Sequence, residues 1–309
     1  MGLALAACGR DEPARPVRVA EELRPLPPIS TAARRATVVV DGLAAPESVV
    51  HDTVDDVYLV SNVNGDPGEA DGNGFISRVS PDGQVLVRKW IDGERPGTTL
   101  HAPRGLAIDH DTLYAVDVDA LRLFDRRTGA PIATWPIPHP HFPNDITIDD
   151  HGRVWITETG VHIRPDGEPI PDGPQVIWRY DTPGGAPTAV ATGDALAGPN
   201  GIVWTADGPV IAGLLGAALY RLAPDGSPRV IAELPLGRLD GLVALPDGSF
   251  LTTSWLGKAV YHVSTTGEVR AVVNGADILT PASIEYDRAR GRVIIPLLKA
   301  NQLRIETWP

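Results

Sequence analysis

The sequence predicts an all-β fold, a six-bladed β-propeller whose last blade is completed by a strand from the N-terminal side of the domain. Three observations point there. Beyond residue 36 the chain consists of short alternating apolar and polar runs broken by turn residues, and 32 Gly and 30 Pro in 309 residues suit many short elements better than long helices. A repeated stretch recurs six times, as APESVVHD, APRGLAID, FPNDITID, GPNGIVWT, RLDGLVAL and TPASIEYD. Each repeat is followed by further strand-like runs, and four strands per unit at this period describe propeller blades that bury their faces against one another.

In chain order, the first unit continues through DVYLVS, GFISRVS and QVLVRKW, and the fourth through GPVIAGL, AALYRLA and PRVIAEL. The last unit supplies only three runs, ending near LRIETW. The unassigned TVVVD, Thr37 to Asp41, fills the missing place and closes the ring, which removes a free sheet edge. The domain is therefore expected to span residues 37–309. Before it, Leu5-Ala6-Ala7-Cys8 resembles a bacterial lipoprotein processing box, and residues 9–35, rich in Pro, Arg and Glu, read as a tether. This leads to the expectation of a lipid anchor at Cys8 and a periplasmic or extracellular location. The basic start and full apolar region of a signal peptide are missing, which keeps a cytoplasmic location open. Cys8 is the single cysteine, so no internal disulfide forms. No apolar run is long enough for a transmembrane span. A formal charge of -12 without clustered Lys and Arg argues against nucleic acid and is compatible with a bound cation.

The residue just before each innermost strand lies at one mouth of the central channel, so equivalent residues of different blades converge. These positions are Glu47, Arg104, Asn144, Asn200, Asp240 and Ala282, spaced by 57, 40, 56, 40 and 42 residues. One Asn or Asp there is ordinary turn chemistry. Two carboxylates and two carboxamides in one register, with no Cys or His, form a set of hard oxygen ligands that suits Ca²⁺ better than the stricter octahedral Mg²⁺.

With APES around Glu47, PND around Asn144, PNG around Asn200 and LDG around Asp240, the chain resembles the senescence-marker/gluconolactonase family of six-bladed propellers and, more distantly, the paraoxonases and strictosidine-synthase-like proteins. The resemblance covers about residues 37 to 307. It implies a divalent metal in the channel held by these four residues and, commonly, hydrolysis of a cyclic ester. Two positions depart from the pattern. Phe142 stands where sugar lactonases of the family tend to place an arginine, which implies a less sugar-like pocket. Arg104 stands where paraoxonase-like relatives present a histidine; it stays charged and suits clamping a carboxylate, stabilising an oxyanion or pairing with a channel carboxylate.

Blades one and three are longer than the rest, and the excess lies between their second and third strands, NVNGDPGEADGNG and GVHIRPDGEPIPDG, on the metal-bearing face. Loops there can wall a pocket. Asp66, Glu69, Asp71 and Asn73 in the first insertion read as Gly-rich turn chemistry ahead of a second calcium site. His139 and His141, in the connection PIPHPHFPN, and Trp255, in TSWLGKA, emerge on the same face and join Phe142 as pocket candidates. Trp155, Trp178 and Trp204 lie inside alternating strands and read as blade packing.

The function expected is metal-dependent hydrolysis of a small-molecule lactone, with the metal polarising the ester carbonyl, Asp240 or a nearby group taking the proton of the attacking water, and Asp145 ligating or orienting Asp240. The alternative is a non-catalytic exported propeller that uses calcium structurally and binds a carbohydrate, peptide or envelope partner.

Overall fold

Alternation along the sequence becomes strands that are buried on both faces near the axis and exposed at the rim: Val57–Asn62 is buried throughout, whereas Val85–Asp92 is largely exposed. In the computed structural model, which describes residues 37–308, the chain forms six four-stranded antiparallel sheets around a central channel. The innermost strands are Pro46–Asp52, Leu106–Asp109, Pro143–Ile148, Pro199–Thr205, Leu239–Ala244 and Glu285–Asp287. They touch one another in cyclic order, the last against the first. The hydrophobic core is six wedges, each shared by two neighbouring blades. Leu106, Leu113 and Phe124 of blade two pack with Leu59 and Ile76 of blade one, and Trp155 of blade three meets Trp204 of blade four with ring centroids 5.4 Å apart. Trp178 also packs between blades two and three, so all three tryptophans serve the blade seams.

Thr37–Val40 closes the ring as expected. It pairs antiparallel with Gln302–Thr307, Thr37 opposite Glu306 and Val40 opposite Leu303. Val40 is buried with Val49, Tyr58, Ile294 and Leu303, residues of the first and last blades. On the opposite face of the ring, Tyr58 donates to Asp287 Oδ2 at 2.7 Å and Arg290 bridges Asp287 and Asp56 at 3.1 and 2.6 Å.

Local register decides where the functional side chains point. In blades one, three, four and five the innermost strand gains one residue against its neighbour, between Pro46 and Val49, Pro143 and Ile146, Pro199 and Ile202, and Leu239 and Leu242. Such a bulge bends the strand and re-aims a side chain. Glu47, Asn144, Asn200 and Asp240 each sit inside one. The glycines that follow the last two are required by crowding at the axis: a Cβ at Gly201 would lie 2.2 Å from the Asp240 carbonyl oxygen, and one at Gly241 would lie 2.4 Å from that of Ala282.

The excess in blade three forms a separate hairpin, Val161–Ile163 paired with Pro169–Pro171, while that of blade one stays a loop. Cys8 and the tether segment lie outside the described residues. Among the described residues no helix is long and apolar enough to cross a membrane.

The closing strand generates a stability prediction. Removing residues 1–36 should leave the melting temperature unchanged, whereas removal through Asp41 should lower it by roughly 5–10 °C, the scale of losing one buried valine, one half-buried valine and a strand pairing. Calorimetry of the two shortened chains checks it, and equal melting temperatures would contradict closure by Thr37–Val40.

Candidate active site

Four oxygen atoms define the site. Glu47 Oε2, Asn144 Oδ1, Asn200 Oδ1 and Asp240 Oδ1 are buried at the channel mouth and have no hydrogen-bond partner, and among the described residues they are the unpartnered buried side-chain oxygens. All four residues line one cavity. A buried oxygen left without a donor costs about 1–3 kcal/mol. Four oxygen donors with two formal negative charges, and no nitrogen or sulfur, fit a hard divalent cation.

The chain leading into each bulge is fastened by a side chain. Asn62 Oδ1 accepts the Ala44 N–H at 2.9 Å, Asp117 accepts those of His101 and Ala102 at 3.0 and 2.9 Å, and Glu158 accepts those of His141 and Phe142 at 3.1 and 2.5 Å. Gln175 Oε1 takes the Gly198 N–H at 2.6 Å, and the Ser254 hydroxyl donates to the Gly237 carbonyl at 2.7 Å. Asp240 is fixed further by Trp255, whose indole N–H donates to Oδ2 at 2.8 Å and leaves Oδ1 facing the other three oxygens.

Burial dominates the electrostatics. It raises the Glu47 carboxyl well above the usual range, and the charges of Asp240 and Asp145 add to this while Arg104 opposes it. Burial pushes Asp240 up to about 8, with the Trp255 hydrogen bond pulling the other way. Asp145, pushed by burial to about 7, lies on the far side of the bulge. Its oxygens accept the N–H groups of Ile146 and Ile202 at 2.9 and 3.1 Å together with a bond from the Ser283 side chain, and it lines the lower channel with Ser48, Thr147 and Glu285. It therefore ties blades three, four and six together beneath the site and reaches Asp240 only through space.

Arg104 is fully buried. Its guanidinium lies 3.8 Å from the Phe142 ring centroid and donates to the Pro143 carbonyl at 2.6 Å and to the Pro67 carbonyl in the blade-one insertion. Among the described residues no carboxylate comes within ion-pair distance of it, so of the three roles read from sequence, pairing with a channel carboxylate is not the arrangement found. Phe142 and Trp255 line the cavity as expected. The two histidines do not. His139 is exposed, and His141 shares Asp172 with His162, at 2.6 and 2.5 Å, on the outer side of the blade-three hairpin. The Glu158 clamp that exposes Phe142 to the cavity turns the neighbouring His141 side chain outward.

The two insertions supply Val63, Pro67, Ile163 and Gly167 to the wall, whereas sequence reasoning missed Leu214, Thr280, Leu298 and Lys299, which also line the cavity. In the blade-one insertion, Asp66 accepts the Gly68 N–H and Asp71 that of Asn73, which is turn chemistry. Two other groupings of His and Asp, His101/Asp117/Asp119 and Asp149/Asp150/His151, are engaged otherwise, Asp117 by two backbone N–H groups and Arg122, and Asp149 by Arg153 and Trp155.

The family described as SMP-30/Gluconolactonase/LRE-like region matches residues 82–282. NHL repeat-containing protein 3 of Homo sapiens and that of Mus musculus are each 26% identical over 164 residues, 53% of this chain and 35% of theirs, so the chain spans about a third of the length of these curated relatives. Among solved structures, a gluconolactonase from Xanthomonas campestris is 17% identical with a TM-score of 0.66 over 96% of this chain and 98% of that one. Virginiamycin B lyase from Staphylococcus aureus is 15% identical with a TM-score of 0.60 over 89% and 100%. At these identities the structural likenesses speak for the fold.

The raised carboxyls fix a pH dependence. An acid whose folded pKa is raised holds its proton more tightly in the folded state, so its contribution to stability is present at low pH and lost as pH rises through the folded value. From about pH 4, where these carboxyls ionise in the unfolded chain, to about pH 8 the metal-free protein should lose stability, because folded Asp240 and Asp145 keep protons that the unfolded chain has released, and calcium should abolish the loss at Asp240. At pH 7 calcium binding should release about one proton from Asp240, and more from Glu47 so far as it is protonated, because the ligand carboxylates must be charged. Calorimetric titration in two buffers of different ionisation enthalpy measures the proton, and thermal melts with and without calcium measure the stability; zero release would contradict the protonated site.

Proposed function

The chain belongs to the SMP-30/gluconolactonase/LRE-like family, and from that premise we propose that it is a calcium-dependent hydrolase of small cyclic esters. The observation that carries the reading is the set of four unpartnered buried oxygens at the floor of a walled cavity. Calcium takes six to eight oxygen ligands, so four protein oxygens leave positions for water and substrate. A propeller that used the ion only as a structural tie would be better served by a saturated site beneath a shallow patch.

Bound at this floor, a divalent ion supplies Lewis-acid polarisation of the ester carbonyl and stabilises the charge that develops on its oxygen. Glu47, Asn144, Asn200 and Asp240 would hold such an ion, and Asp240 would also take the proton from the attacking water, through a carboxylate whose rotation Trp255 fixes. Arg104, pinned to two carbonyls and stacked on Phe142, places a fixed positive charge beside the cavity for the oxyanion. Apolar walls exclude water around these charges and strengthen their interaction. The neighbours described as lyases suggest elimination as a competing chemistry. One of them is catalytically inactive when a histidine is replaced by alanine. Among the described residues no histidine lines this cavity, which favours hydrolysis.

Export belongs to the same proposal, through the processing box at Cys8. Mass spectrometry of the protein from its own host should find a lipid on Cys8, and an unmodified cysteine would remove the anchor.

Asp240→Asn keeps an oxygen and nearly the same volume but removes the charge and the base. Lactone turnover at saturating calcium should fall roughly 10²-fold or more with the fold retained, the scale of losing a general base. Asn144→Ala removes a neutral ligand, so added calcium should restore far more of its activity. Turnover against calcium concentration for both variants separates the roles, and full recovery of Asp240→Asn at high calcium would leave Asp240 as a ligand alone.

A further inference from the structure

The cavity divides by polarity. Its floor is the four ligand oxygens, whereas its walls are Val63, Phe142, Ile163, Leu214, Trp255 and Leu298, contributed by five of the six blades. Apart from the Thr280 hydroxyl, the polar side chains in the walls have partners. Arg104 donates to the Pro143 and Pro67 carbonyls, the one donor of Trp255 is spent on Asp240, and Lys299 stands exposed at the rim, its Nζ 3.4 Å from the Asp166 carbonyl. A ligand carrying several hydroxyls would place them against carbon, and a hydroxyl desolvated without a partner is unfavourable. An alkyl or aryl body would gain from the same walls.

The blade-three hairpin makes one of these walls rigid. Ile163 packs on the buried cluster of Phe142, Val161 and Leu214 alongside Trp255. The hairpin tip is fastened on two sides, by the ion pair of Glu168 with Arg238 from the connection between blades four and five, and by Lys299 of blade six at the Asp166 carbonyl. Ile163 is thereby held in the cavity wall, to which Leu298 also contributes.

Resting on the hydrolase reading above, we infer that the site selects lactones with an apolar substituent over polyhydroxylated ones, and that Ile163 on the hairpin Val161–Pro171 is a specificity-determining residue.

The test uses the calcium-loaded protein and γ-lactones that share one ring and carry side chains from hydrogen to hexyl, beside ring-hydroxylated lactones of equal carbon number. kcat/KM should rise about threefold to fourfold per methylene until the cavity is filled, with the hydroxylated compounds at least tenfold below their alkyl counterparts. Ile163→Ser should flatten the slope while calcium affinity stays unchanged, and Leu298→Ser, elsewhere in the same wall, provides a second variant should the first fail to fold. Binding of the matching alkyl γ-lactams, which are not hydrolysed, is followed by tryptophan fluorescence and should show the same dependence on chain length. A preference for hydroxylated lactones, or a slope unchanged by Ile163→Ser and Leu298→Ser, overturns the inference and leaves the hydrolase standing. Chain-length-dependent lactam binding without any lactone turnover keeps the apolar site and removes the hydrolase; absence of both removes both.

Discussion

Everything near the channel mouth follows from keeping four oxygen atoms buried, close together and without a hydrogen-bond donor. Left alone, such an arrangement relaxes: side chains rotate to reach a backbone N–H, or the strands part and admit water, because each bare oxygen is unfavourable by about 1–3 kcal/mol. The surrounding structure has to over-determine it. Six wedge-shaped cores supply the rigidity, since no blade can shift without opening apolar surface on both of its sides.

Within that ring the four bulges do the aiming and the loop fasteners do the holding. A regular strand would alternate its side chains between the two blade faces, and none would point along the axis. The extra residue in each innermost strand breaks the alternation at Glu47, Asn144, Asn200 and Asp240. Asn62, Glu158, Gln175 and Ser254 then fix the chain two to four residues before each of these, so the approach to every ligand is set from a neighbouring strand or loop. Asp117 does the same before Arg104, although Arg104 carries no ligand oxygen. The fastening therefore belongs to the blade architecture and is not confined to the four blades that carry the unpartnered oxygens.

Fold and floor were legible in the sequence because both are periodic. Six copies of one pattern reveal the blades, and comparing the same position across copies brings together residues as distant as Glu47 and Asp240. The walls were not legible, for the same reason. The unequal blade lengths pointed to the insertions that carry Val63 and Ile163 without singling out either residue, and Leu214 and Leu298 occupy different places in their blades, so no register exposes them; an apolar residue in a loop reads no differently from one facing a core. His139 and His141 were misplaced because the connection PIPHPHFPN tells where the chain runs and not how it turns; the Glu158 clamp at residues 141 and 142 decides that, and a carboxylate at the end of a second strand gave little sign of it. Asp145 shows the limit of adjacency. One residue along a bulged strand suffices to send its carboxylate into the lower channel, to the N–H groups of Ile146 and Ile202.

Arg104 links the floor to the walls. As a buried guanidinium without a carboxylate partner it would normally be among the costliest side chains in a fold. Stacking on Phe142 and two carbonyl acceptors offset part of that cost. The nearby Glu47 charge offsets more, and it is the largest influence keeping Arg104 charged against burial. Glu47 is also one of the four proposed ligands, so its negative charge would be shared with a bound cation. The buried groups lining the cavity, two ligand carboxylates and one guanidinium, carry a formal charge of minus one when ionised, and a divalent cation turns this to plus one. In the loaded state the cavity thus favours whatever develops negative charge beside its floor. Because Arg104 is already locked by Pro67 and Pro143, it need not reorganise as that charge appears, which is the condition under which a fixed charge lowers a barrier and does more than tighten binding.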